Sequence, residues 1–194
     1  MVSARTIALA KTVWAVEKVR ERLHRPARAL ESASVPYAVV DGNAVAAWVT
    51  TVDEAAVRNT RDVDVLLRRA DLERAKAALS VAGFVHRRVA GVDLFLDGES
   101  ASPRDAVHVV FASEFVREGE PLPNPDVTDS HDTGQFRILS LEALVKIKLT
   151  AFRDKDRTHV RDMIEVGLID ATWLERLPKE LASRLQSILD DPNG

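Results

Sequence analysis

Residues 58–69 read RNTRDVDVLLRR and place two aspartates, Asp62 and Asp64, at the head of an aliphatic run. The run predicts a β-strand, in which side chains two positions apart point to the same face. Both carboxylates can therefore face one metal ion, and Mg²⁺ prefers such hard oxygen ligands. The alternative is a strand whose polar face is simply hydrated, because two aspartates at this spacing are a weak signal by themselves.

A second element precedes this strand. Residues 35–49, VPYAVVDGNAVAAWV, predict a strand, a tight turn at Gly42 and Asn43, and then a helix. The free backbone N–H groups at a helix start bind phosphate readily. A turn glycine is also common without any ligand. Gly42 therefore indicates a phosphate site only in combination with the aspartates that follow. Together the two elements supply the minimum set of groups needed to bind a nucleoside triphosphate with a metal ion.

A lysine interrupts the apolar stripe of a later helix, LEALVKIKLTAF at residues 141–152. Lys148 falls inside the stripe, whereas Lys146 falls outside it. An inward lysine must either extend its stem to solvent or direct its ammonium group at a buried anion. We expect that anion to be a triphosphate or the aspartates. The next stretch, RDKDRTHVRD at 153–162, is dense in charges of both signs, which is typical of a solvent-exposed, salt-bridged helix face.

The remaining pattern predicts an α+β protein, with a mixed β-sheet flanked by helices, an N-terminal helix and a C-terminal helical segment. Apolar residues at helical spacing predict the first helix, which Pro26 is expected to end; they are Ile7, Ala10, Trp14 and Leu23. Ser140 is a good N-cap for the helix at 141–152. The other predicted elements are a short helix at 27–32, strands at 37–40 and 62–67, a helix at 70–83, β-like runs at 84–98 and 105–112, a strand at 136–139, and helices at 157–166 and 173–189.

Two connecting segments bear on the topology. Residues 99–104, ESASPR, suit a turn between antiparallel strands, which makes the sheet mixed. Residues 117–135 carry three prolines and no hydrophobic periodicity. Such a long loop is either a functional lid or a mobile segment. We expect a single domain over residues 1–194, divided into a helical segment at 1–32, a sheet core at 35–139 and C-terminal helices at 140–194.

Composition excludes several classes of function. The 27 basic and 30 acidic side chains nearly balance, so net charge does not steer the protein to nucleic acid or membrane. The absence of cysteine excludes disulfides and thiolate nucleophiles, and it fits a cytoplasmic protein. Charged residues break up the N-terminal stretch, so it is neither a signal peptide nor a membrane span. The glycine-rich nucleotide loops, the serine-hydrolase elbow and the zinc-protease histidine pair are also missing.

These residues resemble the DNA polymerase β-like nucleotidyltransferase superfamily, whose pattern is a strand, a glycine turn into a helix, and an aspartate pair on the next strand. The corresponding stretches are VVDGNAVAAW at 39–48 and TRDVDVLL at 60–67. Within that superfamily the chain is similar to the bacterial branch of AbiEii-type toxins and minimal nucleotidyltransferases, because KIKLTAFRDKDRTHVRDM at 146–163 matches its lysine helix in outline. The resemblance covers roughly residues 35–169.

The resemblance implies a two-metal transfer of a nucleotidyl group. Asp62 and Asp64 would hold Mg²⁺, Gly42 and Asn43 would cradle the β- and γ-phosphates, and Lys148 would contact the triphosphate. Pyrophosphate would leave.

The sequence departs from the superfamily pattern at two positions. The turn is Gly-Asn where Gly-Gly or Gly-Ser is usual, so Asn43 brings an amide beside the phosphates. Where many active members carry a third carboxylate on a later strand, this chain has His108, and Asp105 faces the opposite way on a regular strand. The His108 imidazole can act as a base, or ligate a softer metal than magnesium, but it does not replace the negative charge. The alternative, favoured for His108 taken alone, is a packed or hydrogen-bonded core histidine. The other histidines show no paired ligand spacing and are assigned no role: His24, His86, His131 and His159.

The leading hypothesis is a Mg²⁺-dependent nucleotidyltransferase that moves a nucleoside monophosphate from a nucleoside triphosphate to a hydroxyl of RNA, protein or a small molecule, with Asp62, Asp64 and His108 as catalytic candidates. The alternative is a catalytically silent protein of the same fold that acts as a nucleotide sensor or as one half of a toxin–antitoxin pair. A third possibility is a plain interaction domain whose aspartate pair is a hydrated strand end.

Overall fold

The computed structural model of the protein describes residues 21–58, 60, 62–102 and 106–191. The part of the predicted first helix that contains Ile7, Ala10 and Trp14 lies outside these residues, and so does Asp105. Within them, seven strands form one mixed sheet flanked by helices, in the order β3-β4-β5-β2-β1-β7-β6. The strands are β1 (Tyr37–Val40), β2 (Val63–Leu67), β3 (Phe84–Val89), β4 (Val92–Asp97), β5 (Val107–Phe111), β6 (Ser130–Asp132) and β7 (Arg137–Leu139). The predicted α+β class with a mixed sheet is confirmed.

Six α-helices accompany the sheet in the described part of the chain. They are α1 (residues 21–32), α2 (Asp41–Thr50), α3 (Leu72–Val81), α4 (Leu141–Ala151), α5 (Asp154–Glu165) and α6 (Lys179–Asp190). Helix α2 packs against both α4 and α5, and α6 packs on α4. The N-terminus of α4 is capped as predicted, because the Ser140 hydroxyl accepts a hydrogen bond from the Ala143 backbone N–H at 3.3 Å. None of the helices in these residues has the length and apolar composition needed to cross a bilayer.

The centre of the sheet is built from almost wholly apolar strands. β1 is buried along its entire length, and it pairs antiparallel with β2 and parallel with β7. β2 also pairs in parallel with β5. Strands buried on both faces read as continuous apolar runs, and Asp64 is the only charged residue within β1 and β2. A carboxylate at that position must therefore be accommodated by the groups around it.

Helix α1 corrects the expectation that Pro26 ends the first helix. The helix continues through Pro26 to residue 32, so the separate short helix predicted at 27–32 is part of it. Proline removes one backbone hydrogen bond, but Leu23, Ala27 and Leu30 lie on one helical face and are all buried in the core. Their packing outweighs the local effect of the proline.

The β-like run at 84–98 is two strands. Strands β3 and β4 form an antiparallel hairpin, with Ala90 and Gly91 at its tip, both at positive φ. Two such residues suit a tight hairpin turn. The predicted antiparallel step into the next strand is confirmed, because β4 pairs antiparallel with β5.

The segment 117–135 forms a hydrogen bond and an ion pair with residues in and next to the sheet. The Asn124 side-chain amide donates to the carbonyl oxygen of Phe111 at 2.9 Å, and Arg68 pairs with both carboxylate oxygens of Asp126 at 2.9 and 2.6 Å. The segment also contains β6, a strand that its lack of periodicity did not predict.

The C-terminal helices differ modestly from their predicted bounds. Helix α5 begins at Asp154, three residues before the predicted start at 157. The stretch predicted as one helix at 173–189 divides into a 3₁₀ turn, Ala171–Arg176, and helix α6, with Pro178 between them. Proline fits just before a helix because its missing N–H would have had no partner there.

Candidate active site

Three adjacent strands place the predicted residues side by side. In the β1–β2 pairing Val40 lies opposite Asp64, and in the β2–β5 pairing Asp64 lies opposite His108. Residues opposite each other in a sheet point to the same face. The Asp64 carboxylate therefore lies between the end of β1 and the His108 imidazole. Asp62 precedes β2 and is exposed.

The junction between β1 and α2 differs from the expected turn. Helix α2 begins directly at Asp41, which has a left-handed φ of 55°, so Gly42 and Asn43 lie in the first helical turn. A Cβ atom at position 42 would lie 2.9 Å from two side-chain atoms of Thr60, so only glycine fits there without a shift. The Asn43 side-chain amide donates to the backbone carbonyl of Asp62 at 2.6 Å. Asn43 thus fastens the helix start to the segment that leads into β2.

Lys148 is buried, as its place in the apolar stripe predicts, with 2% of its surface exposed. Its ammonium group donates to the Asp41 carboxylate and, at 2.9 Å, to that of Asp156. Arg153 completes the cluster through its Nε, which donates to Asp156 at 2.6 Å. The buried anion is therefore formed by Asp41 and Asp156 rather than by Asp62 and Asp64.

The prediction of a solvent-exposed face at 153–162 is wrong for the residues that face α2. Asp156 is completely buried, and Lys155 donates to the Asp41 carboxylate at 2.7 Å. His159 places its Nδ1 atom 3.5 Å from Asp41, too far for a well-formed hydrogen bond. The cause is the packing of α5 on α2 and α4, which buries the face of α5 that carries Asp156, while Asp154 and Lys155 stay exposed.

The sequence carries one signal for this burial. Asp156, Val160 and Met163 recur at offsets of 0, 4 and 7, so Asp156 interrupts an apolar stripe of α5 in the way that Lys148 interrupts that of α4. His159 has no comparable signal, because it reaches Asp41 only through the packing of the two helices.

The two aspartates nearest the strand ends have opposite electrostatic environments. Burial, followed by the negative charge of Asp41, raises the pKa of Asp64 to about 6. Burial by itself would also raise the pKa of Asp41, but His159, Lys148 and Lys155 hold that pKa well below its usual range. Asp41 is therefore firmly ionised, whereas Asp64 titrates close to neutral pH.

A cavity of about 150 Å³ opens beside these groups. Its lining includes Asp64, Lys148 and Lys155, and residues of the segment 116–124 supply a further part. Anionic and cationic side chains thus face a single cavity. Such an arrangement suits a ligand that carries both a metal ion and phosphate groups.

Asp41, Asp156 and His159 form a group that could hold a metal ion, because one ligand atom of each lies within 4.8 Å of the others. The Lys148 ammonium already donates to both carboxylates of this group. A metal ion between them would have to displace that ammonium. Asp64 faces no such competing cation at hydrogen-bond distance among the described residues.

Comparison with known proteins shows the fold. An antigenic nucleotidyltransferase-like protein from Paracoccidioides brasiliensis has a TM-score of 0.53, with 14% identity over 91% of this chain and 90% of that protein. The solution structure of the antibiotic-resistance factor ANT(2'')-Ia has a TM-score of 0.51, with 13% identity over 93% of this chain and 92% of that one. The chain has a nucleotidyltransferase-like fold. No protein-family model matches the sequence, and no curated protein matches it significantly.

Replacing Lys148 by methionine tests the buried cluster. The change keeps the apolar stem but removes the ammonium, so Asp41 and Asp156 lose a shared partner. We expect urea denaturation to show a loss of about 3 kcal/mol in the free energy of unfolding, as for other broken buried ion pairs. Lys146→Met is the matched control, because Lys146 forms only a partly exposed pair with Glu142, and its loss should cost about 0.5 kcal/mol. Equal losses in the two variants would contradict the role given to Lys148.

The raised pKa of Asp64 makes stability depend on pH. Below about pH 3, Asp64 is protonated in both the folded and the unfolded chain, so it does not change the free energy of unfolding. As the pH rises towards about 6, the unfolded chain loses this proton first, and the stability of the folded state falls. Above that pH the cost is complete, on the order of 2 to 3 kcal/mol.

Asp64→Asn removes this cost, so the variant should be more stable than the wild type at pH 7.5 without metal and equal to it near pH 3. Urea denaturation in the presence of a chelator measures both values. Asp62→Asn, at an exposed position, is the control and should change stability by less than about 0.5 kcal/mol at either pH. A destabilised Asp64→Asn variant at pH 7.5 would refute the assignment.

Proposed function

We propose that the protein binds a nucleoside triphosphate with Mg²⁺ and transfers its nucleoside monophosphate to a hydroxyl acceptor. The observation that carries this proposal is the cavity shared by Asp64, Lys148 and Lys155. A carboxylate for a metal ion and two ammonium groups for phosphates therefore line the same cavity. The nucleotidyltransferase-like fold supports the same conclusion.

The residues at the strand ends fit magnesium. Asp62 and Asp64 offer hard oxygen ligands at alternate positions. The Asp64 carboxylate has no hydrogen bond or ion pair within the described residues, and its raised pKa reflects a negative charge that its surroundings leave poorly compensated. When bound, Mg²⁺ would neutralise charge that develops on the phosphate oxygens.

The cationic side chains would hold the phosphates. Lys148 and Lys155 face the cavity from α4 and the start of α5. A phosphate contact by the Gly42 backbone stays a prediction from its place at the start of α2, because Gly42 lines a neighbouring cavity with Thr60 and His159. A phosphate contact by Asn43 stays a prediction, since its amide donates to Asp62 in this structure.

The proposed step is an in-line displacement. The acceptor oxygen forms a bond to the α-phosphorus, the bond from that phosphorus to the bridging oxygen of the β-phosphate breaks, and pyrophosphate leaves. The acceptor proton must pass to a base. His108 is the candidate, because it lies directly opposite Asp64 in the β2–β5 pairing.

The narrower assignment to the branch of AbiEii-type toxins is also a proposal, supported by the lysine helix and the charged stretch after it. That assignment does not select the acceptor, so the classes to test are RNA, protein and small molecules. ANT(2'')-Ia is an antibiotic-resistance factor whose conformational dynamics are regulated by substrate. A small-molecule acceptor is therefore included among the first assays.

Calorimetric binding of the four ribonucleoside triphosphates, with and without Mg²⁺, tests the proposal. We expect at least one of them to bind the wild type in the presence of Mg²⁺. The Asp62→Asn, Asp64→Asn double variant should lose that metal-dependent binding while remaining folded, because it retains the size of both side chains but not their charge. If the wild type and the double variant bind the nucleotide with the same affinity in Mg²⁺, the assignment of Asp62 and Asp64 as metal ligands is wrong.

A catalytically silent protein is the second candidate function. The observation in its favour is His108, since β5 places an imidazole rather than a carboxylate beside Asp64. His108→Asp would supply the missing negative charge for a second metal ion. If the wild type is silent only for that reason, the variant should gain transfer activity, measured as the release of pyrophosphate. If the wild type is active and loses activity on this change, His108 takes part in catalysis.

A further inference from the structure

The Asp41 carboxylate lies where an external anion would be expected. Lys148 donates to one of its oxygens, Lys155 donates to the other at 2.7 Å, and His159 lies 3.5 Å away. Two ammonium groups and an imidazole thus converge on one carboxylate at the start of a ten-residue helix. Backbone N–H groups at such a start attract anions as well.

The backbone at this position does not require an aspartate. Asp41 has a φ of 55°, a conformation that glycine adopts at no steric cost. Aspartate tolerates it better than most residues, but still at some expense. The side chain is also largely buried, with 14% of its surface exposed. Its ion pairs are therefore what distinguishes it from a plain turn residue.

The same cations line the candidate nucleotide cavity. Asp41, Lys148 and Lys155 all contribute to its wall, together with Asp64. An incoming triphosphate would need the ammonium groups that Asp41 now holds. It would also meet the negative charges of Asp41 and Asp64 at close range.

We propose that the Asp41 carboxylate competes with the phosphates of a nucleotide for Lys148 and Lys155. This competition makes nucleotide binding dependent on a divalent cation. This inference rests on the proposed function. A triphosphate without metal must displace Asp41 and enter against two carboxylates. A triphosphate complexed with Mg²⁺ carries less negative charge, and its metal ion gives the displaced carboxylate and Asp64 a positive partner.

Removal of the Asp41 charge should therefore strengthen anion binding in the absence of metal. Asp41→Asn is the first variant, because asparagine has the same shape and also tolerates a left-handed φ. Asp41→Gly is the second, since it removes the side chain and relieves the backbone. The control is Asp154→Asn on α5, because Asp154 is 93% exposed and pairs only with Arg157 among the described residues.

Calorimetry in the presence of a chelator measures binding of inorganic tripolyphosphate and of ATP to these proteins. We expect at least about tenfold tighter binding to both Asp41 variants than to the wild type, because a like charge at the site has been removed. Asp154→Asn should match the wild type. With Mg²⁺ present, the difference between Asp41→Asn and the wild type should shrink.

The other possible binding results separate this inference from the proposed function. Unchanged affinity in both Asp41 variants would show that the carboxylate does not compete, and weaker binding would make Asp41 a metal ligand or a structural support; either result overturns the inference. Tighter tripolyphosphate binding by the variants, with no nucleotide bound to any protein in Mg²⁺, would uphold the anion site and refute the proposed nucleotidyl transfer. Nucleotide binding by the wild type in Mg²⁺, without the gain in the variants, would refute only the competitor.

Discussion

The buried ammonium group of Lys148 is the interaction on which the candidate site depends. It joins α4 to the start of α2 through Asp41 and to the first turn of α5 through Asp156. Burial of a charge is unfavourable unless its partners are well placed. Here the two carboxylates provide partners from two different helices. The cluster therefore fixes the helix ends around the cavity, and it positions Lys155 and Arg153 beside the strand ends.

The register of the sheet supplies the other constraint. Because β2 lies between β1 and β5, the pairing holds Asp64 within the centre of the sheet, next to the end of β1 where Asp41 follows. Its pKa is raised by this burial and by the negative charge of Asp41. A group that destabilises the folded chain at neutral pH is typical of a functional site, where a ligand compensates the cost. A divalent cation is the ligand whose chemistry matches this position best.

Short stretches of sequence were enough to predict the strand at Asp64, the Ser140 cap and the inward orientation of Lys148. Each of these features depends only on a few neighbouring residues. It was not enough for the partners of Lys148. Asp41 and Asp156 are 107 and 8 residues away from it in the chain, and they meet only through the packing of α2, α4 and α5. The Pro26 error has the same origin, because buried contacts of α1 outweigh a local helix-breaking signal. Strand β6 was missed because it is only three residues long and has no buried residue to mark it.

The most direct test of the central claim is a crystal structure with Mn²⁺ and a non-hydrolysable nucleoside triphosphate, in which anomalous scattering locates the metal. We expect a manganese peak bound by Asp64, with the phosphates lying against Lys148 and Lys155. A peak between Asp156 and His159 instead, or a nucleotide bound outside this cavity, would contradict the account.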